Sequence, residues 1–366
     1  MTDWTYLVAD LKTDETLEEL PLDASPFTRQ IKGWGAFSAS LSLDIDDVRA
    51  IDLRGLLQCG RRALYVERDG QLVWGGILWR ARRAQSEHKV TLQALELESY
   101  FARRLQTVTY QPLQQDQLDI FRQLVAAAAK DIRVTLGTER SGVLRDRTTE
   151  YLAEDLHVTA DLIKQLADVE NGFDYMIEVL QDADGERQRL MRLGYPRLGR
   201  SAEDNGLVFE SPGNILDWDD DYDAFDSVTE QYEVGDRVTD GDIPVIASVR
   251  DEAALARGVL LLQDVSREHS TVTNRDLLRE HARTDLAAAP APITTYGCTV
   301  RADVEPVLGS YHPGDEALYV VSDDWHREQP NGDPGLQVEQ RILALSIDPK
   351  ADTVTHTLGP PYEGSR

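Results

Sequence analysis

Between Phe37 and Leu43 apolar and small polar side chains alternate without a break. Phe37, Ala39, Leu41 and Leu43 fall on one side, Ser38, Ser40 and Ser42 on the other. A period of two describes a half-buried strand, because a helix of 3.6 residues per turn would scatter the same residues around its axis. The residues before it read the same way: Trp4 to Thr13 and Glu18 to Leu22 predict a short strand, a turn and a second strand.

The pattern continues to about residue 112. Ala63 to Glu67 and Leu72 to Trp79 flank Asp69-Gly70, a pair that favours the two positive-φ positions of a tight hairpin. Val90, Leu92 and Ala94 alternate in turn, Leu95 and Leu97 continue the run, and a short helix is expected near Glu98 to Arg104. Trp4, Tyr6, Trp34, Tyr65, Trp74 and Trp79 concentrate here and predict a core and rim, with a stacking platform for sugars or bases as the other reading. Residues 1–112 are expected to form a small β-barrel, since closure leaves no exposed edge.

At 113 the period changes. Leu118, Phe121, Leu124, Val125 and Ala128 recur at three and four, which predicts an amphipathic helix. Thr159 is positioned to cap a second helix with Leu162, Ile163, Leu166 and Val169 inside and Gly172 beyond its end. Phe173, Tyr175, Ile177 and Val179 then alternate, Asp184-Gly185 turns, and Arg189 to Leu193 returns. Gly137 to Glu150 is polar and reads as a loop. Residues 113–205 are thus an expected α+β insert.

Strand character resumes over 206–250, as in Asp226 to Val234. Asp251 to Gly258 reads as a turn or short helix. Asn274 caps a helix with Leu277, Leu278, Ala282 and Leu286 inside, stopped by Pro290 and Pro292. Thr294 to Arg301, Ala317 to Ser322, Gln340 to Ile347 and Thr353 to Leu358 read as strands, with turns at Pro313-Gly314-Asp315 and Asn331 to Gly335 and a short tail from Gly359. The expected class is α+β, mainly β. Two small β-barrel domains, 1–112 and 206–250 with 291–362, enclose the insert, and 251–290 is a helical excursion in the second barrel.

A chain of 366 residues with 41% apolar content fills two to four domains. Its formal charge of −27 argues against nonspecific attraction to nucleic acid or an anionic membrane. Cys59 and Cys298 lie far apart, suggest neither a disulfide framework nor a metal knuckle, and are expected to be free and buried. The N-terminus lacks the charged and apolar regions of a secretion signal, and no run reaches the roughly 18 apolar residues of a membrane span. A soluble protein made in the cytoplasm is expected.

Chemical motifs are sparse. The chain has no Gly-x-Ser-x-Gly elbow, P-loop or Gly-x-Gly-x-x-Gly. Its histidines, at 88, 157, 269, 281, 312, 326 and 356, show no metal-ligand spacing. In Asp217-Trp-Asp-Asp-Asp-Tyr-Asp223 the alternate carboxylates imitate the start of a calcium loop. Tyr222 then stands where the turn glycine belongs and Val228 where the bidentate glutamate belongs, so charged strand edge is the expected role. Asp323-Asp324-Trp325-His326 reads as a loop with a packed tryptophan, or as two carboxylates and an imidazole around a metal. Arg61-Arg62, Arg82-Arg83 and Arg103-Arg104 read as solvated faces or as surfaces that meet acidic neighbours in an oligomer. No catalytic, cofactor-binding or metal-binding residue is assigned, and no cofactor is expected.

Three segments carry a family resemblance: the opening through Gly33 and Phe37-Ser-Ala-Ser-Leu41; Arg62-Ala-Leu-Tyr-Val-Glu-Arg-Asp-Gly-Gln-Leu-Val-Trp-Gly-Gly-Ile-Leu-Trp79; and Tyr311-His-Pro-Gly-Asp315 with Asp323-Asp-Trp325 and Arg341-Ile-Leu-Ala-Leu345. In this order they resemble the minor tail proteins, or baseplate (tail-tip) hubs, of siphophages infecting actinobacteria. The resemblance implies a non-enzymatic virion protein at the tail tip. It implies a homotrimer whose six barrels make a pseudo-sixfold ring joining the sixfold tube to threefold tip parts. The implied partners are a distal tail protein ring, the tape-measure protein and a tail fibre or receptor-binding protein, with no membrane contact. DNA would pass through an axial channel without specific binding, and the acidic surplus would serve that passage, or only solubility or adaptation to a salty or GC-rich source. The chain stops about where the second barrel would end, so any lysin activity is expected on another chain. Two alternatives stand beside this reading: a tail-associated cell-wall hydrolase using Asp323 and Asp324, and a carbohydrate-binding module using Trp34 and Trp74.

Overall fold

The computed structural model describes residues 2–147, 151–169, 171–182, 185–225, 227–239, 243–267, 272–288 and 293–361. The expected positions Glu150, Asp184, Asp226, His269, Pro290, Pro292 and the last five residues lie outside them. Contacts divide the chain into two units, 1–218 with 297–366, and 219–296.

The first unit opens with β1 (Trp4–Asp10), β2 (Thr16–Glu19), β3 (Asp23–Ala24), β4 (Phe27–Gln30) and β5 (Ala36–Ser42). Two short helices follow, α1 (Asp46–Arg49) and α2 (Leu53–Leu56), then β6 (Arg62–Arg68), β7 (Gln71–Ala84) and β8 (Lys89–Glu96). Seven strands form an antiparallel sheet in the order β2-β1-β6-β7-β8-β5-β3. The β6–β7 hairpin turns on Asp69 and Gly70 with φ of 50° and 78°, as the Asp-Gly pair predicts. In β5, Phe37, Ala39 and Leu41 are buried as their alternation requires.

This sheet is buried on both faces, so β6 loses the alternation seen in β5 and is buried from Arg62 to Val66. On one face Trp74 packs against Phe27 and Phe37. The other face bears Ala63, Tyr65 and Ile77, which share one core with the segment that follows.

That segment begins with a 3₁₀ turn, Leu97–Arg103, which takes Leu97 out of the expected strand. It continues through β9 (Gln115–Asp116), α3 (Gln117–Asp131), β10 (Thr135–Leu136), β11 (Leu144–Arg145), α4 (Thr159–Ala167), β12 (Asp174–Gln181) and β13 (Arg187–Gly194). Strands β10, β13 and β12 form a small sheet in that order, and β11 pairs with β9 inside the expected loop. Leu118, Phe121, Leu124, Val125 and Ala128 of α3 are buried against Tyr65, Phe173 and Tyr175. The 112/113 boundary read from the change of period therefore marks no break in packing. Thr159 is the first helical residue of α4; Val158 holds the cap position, without a side-chain cap bond.

After α5 (Ala202–Asn205) come β14 (Val208–Ser211) and β15 (Ile215–Asp223). The smaller unit holds β16 (Glu230–Val234), β17 (Ile246–Arg250), α6 (Glu252–Ala256), β18 (Gln263–Ser266) and α7 (Arg275–Ala288). Its sheet has the order β17-β16-β18. The Asn274 side chain caps α7 by accepting from the amides of Asp276 and Leu277. Leu278 and Ala282 are buried, but Leu277 faces outward. Sequence reading placed 206–250 with 291–362 in one barrel; β16 and β17 pair with one another and with β18 in a sheet of their own.

The chain then supplies β19 (Ile293–Arg301), β20 (Glu316–Val321), β21 (Leu336–Asp348) and β22 (Thr353–Gly359). The second large sheet runs β14-β20-β21-β22-β19-β15, and β4 from the N-terminal region also pairs with β21. Phe27 stands opposite Ile347 and Gln30 opposite Ala344. The two large sheets are thus stitched by a strand only four residues long. The α+β, mainly β class is as expected.

Candidate assembly surfaces and the sites they exclude

A charged seam fixes the geometry of the larger unit. Arg29 on β4 lies 3.7 Å from Glu96 at the end of β8, and Glu96 also accepts from the Gly35 amide at 2.6 Å. Burial pushes the Glu96 carboxyl up to about 7 against the opposing pull of Arg29. Glu98 accepts from the Ile177 amide of β12, and its second carboxylate oxygen has no hydrogen-bond partner among the described residues. Burial, and then the neighbouring Glu96, raise it well above the usual carboxylate range. Asp174 receives Arg341 of β21 and the Leu198 amide, with Lys32 3.9 Å away. Arg197 pairs with Glu316, and Arg200 with Asp315 at 2.8 Å. Each pair joins elements distant in sequence, so the seam holds both sheets to the α+β segment.

One juxtaposition has the outline of a nucleophilic pair. Cys298 on β19 stands directly opposite His356 on β22, and both are buried. Their environment disables the chemistry. Nδ1 of His356 is 2.9 Å from the Tyr319 hydroxyl and Nε2 is 3.1 Å from that of Tyr311, so both ring nitrogens are occupied. Burial pulls the imidazole down to about 3 and pushes the thiol up. A neutral thiol beside a neutral imidazole is core, because a reactive cysteine needs thiolate character and access. Sequence reasoning had no signal for this pairing, as the residues lie in separate strands; Cys59, expected to be buried like Cys298, is exposed.

The acidic segment 217–223 belongs to the extended strand β15. Alternate side chains on a strand stand about 7 Å apart, so they cannot converge on one ion as a calcium loop requires. Among the described residues no group of three or more His, Cys, Asp or Glu side chains is arranged to hold a metal. Asp323 accepts from the amides of Trp325 and His326 and so shapes a turn. Asp323 and Asp324 are exposed and sit in no shielded pocket. Trp325, expected to pack, is 75% exposed.

The arginine pairs divide in two. Arg62 is buried on Asp10 and Arg104 pairs with Asp131, whereas Arg61, Arg82, Arg83 and Arg103 are exposed. Trp74 is fully buried and donates to the Thr28 carbonyl at 2.9 Å; Trp34 is half-buried against the core. Trp74 therefore offers no open ring face for a sugar platform. An open groove of about 540 Å³ lies between the α1–α2 segment and the ends of β7 and β8. Leu43, Val48, Ile51, Leu53, Leu57 and Val90 supply its apolar walls. No described helix is long and apolar enough to cross a membrane.

No family model matches this chain, and no curated protein matches it in sequence. Solved structures do match it in fold. The 43 kDa tail protein of prophage MuSo2 from Shewanella oneidensis superposes with a TM-score of 0.58 at 14% identity, over 99% of each chain. A tail protein from Neisseria meningitidis MC58 does so with a TM-score of 0.56 at 15% identity, over 96% of this chain and 95% of that one. A chain of the Francisella PdpA–VgrG complex gives 0.54 at 10% identity; all of the present chain matches 60% of that one. From end to end, this chain has the fold of those phage tail proteins.

Proposed function

We propose that the chain is a non-enzymatic structural component of a phage-type tail, acting as the hub at the tail tip. The observation that carries this reading is the match in fold to two tail proteins over nearly the whole of each chain. In the proposal the two seven-stranded sheets close as barrels. Three copies form a ring of six barrels between the sixfold tube and threefold tip components. Its partners are a distal tail ring, the tape-measure protein and a fibre or receptor-binding protein, and its location is the tip of the virion. The likeness to a chain of the PdpA–VgrG complex supports a role in assembly with other proteins.

The mechanism is mechanical. The seam and the β4–β21 stitch make the larger unit a rigid block, which suits a part that must tile around an axis. The charge of −27 would keep exiting DNA from adhering to an axial channel.

Sedimentation or mass photometry of the purified chain tests the ring directly, with three copies per particle as the expected result. Labelling this chain in assembled particles places it at the tip. Release of fragments from host peptidoglycan by the purified protein would replace the hub with a hydrolase, and recovery of the label along the tube would replace the tip assignment.

A further inference from the structure

Two unexplained surface features of the larger unit are complementary. The first is the loop from Ser322 to Gly335, which presents Trp325 as a knob. Asp323 holds the loop by accepting from the amides of Trp325 and His326, and the Asp323 amide donates to the His326 carbonyl at 2.9 Å. A second turn is closed by Gln329 and Asp333. The indole is therefore displayed by an ordered turn, and the neighbouring carboxylate of Asp324 is exposed. A large exposed aromatic flanked by charge has the composition of an interface anchor.

The second feature is the groove beside α1 and α2. Its volume, about 540 Å³, accommodates an indole. Of its charged lining, Asp52 accepts from the Gly55 amide and Arg49 is engaged by Asp44 and Asp46. Arg54 and Arg83 remain, exposed and with no ion pair among the described residues. The groove lining thus carries three arginines against one carboxylate, Asp52, in a chain that is otherwise strongly acidic. The occupant that matches it is an apolar knob with acidic flanks.

We infer that Trp325 of one copy inserts into the α1–α2 groove of a second copy, with Asp324 facing Arg54 and Arg83. Knob and groove are different patches of the surface, so the contact is head-to-tail and propagates around a ring. The inference rests on the hub reading, since it names the contact that would close the ring.

The test uses the full chain. Trp325→Ala is expected to weaken self-association at least about tenfold in sedimentation while leaving thermal unfolding of the chain unchanged. Asp324→Arg and Arg54→Glu should each weaken it, and their combination should recover most of the loss. In a Cys59→Ser background, Asp324→Cys and Arg54→Cys chains mixed with a short bismaleimide should give a mixed cross-link. A trimer that forms equally well with Trp325→Ala overturns the inference and leaves the hub reading intact. Impaired assembly without the mixed cross-link overturns the groove as the site. A chain that stays monomeric at every concentration and gives no cross-link overturns both.

Discussion

Nε of Arg189 donates to the Tyr65 hydroxyl at 2.7 Å, and that hydroxyl donates in turn to Asp14 at 2.7 Å. The same guanidinium reaches the Leu11 and Ile132 carbonyls and closes the loop on Asp14. One buried cation thereby ties β13 to the β1–β2 turn, β6 and the end of α3. Arg189→Ala leaves Asp14 with only the more distant Arg187, 3.7 Å away, as its cation and removes the buried donor of the Leu11 and Ile132 carbonyls. A loss of roughly 3–5 kcal/mol is expected in chemical denaturation, far more than for an exposed arginine such as Arg103.

His356 makes stability fall in acid. Its folded pKa, about 3, lies below the unfolded value of 6.5, so below pH 6.5 the unfolded chain binds a proton that the fold refuses. The contribution is intact above pH 6.5 and is lost as pH falls toward 3, by roughly 5 kcal/mol in total. His356→Gln, which cannot take up that proton, should flatten this limb of the stability–pH curve between pH 6 and 3.5. An unchanged limb would show that the imidazole is protonated in the fold.

Glu98 acts at the other end of the scale. Its folded pKa is raised, so the fold retains a proton that the unfolded chain releases above about pH 4.5. The stability this gives is complete below that pH and is lost as pH rises through the folded pKa; for the adjacent Glu96 that point is near 7. Glu98→Gln keeps an acceptor for the Ile177 amide and cannot ionise. It should leave melting at pH 5 nearly unchanged and raise stability at pH 9 by about 1–3 kcal/mol.

Gly75 and Gly76 clear space on opposite faces of β7. A Cβ at Gly75 would come within 2.9 Å of the Tyr65 ring and of Val179, and one at Gly76 within 2.4 Å of the Trp74 ring and 2.3 Å of the Leu95 carbonyl. Gly76→Ala should destabilise by about 1–3 kcal/mol through overpacking and shift the emission of the buried Trp74. A neutral result would mean that β7 can slide away from β8.

Local pattern and local chemistry were readable wherever neighbours in sequence decide the outcome. The Asp69-Gly70 turn, the buried face of β5, the inner face of α3 and the Asn274 cap depend on contacts a few residues apart. The reading failed where a distant partner changes the balance. Thr159 yields the cap position to Val158, its amide donating to the Arg104 carbonyl, and Leu97 leaves the strand for a 3₁₀ turn; Trp325 is a local miss, held in solvent by the turn around Asp323. β16 and β17 have ordinary strand character, and only their pairing with β18 shows which sheet they join.

Taken alone, the sequence determined the element types of the chain, because side-chain period and turn chemistry act within a few residues. Which faces meet was decided by the tertiary structure. β4 joins the second sheet, Cys298 lies opposite His356, and Arg29 meets Glu96, since hydrogen-bond pairing and the burial of charge are settled between segments far apart in the chain.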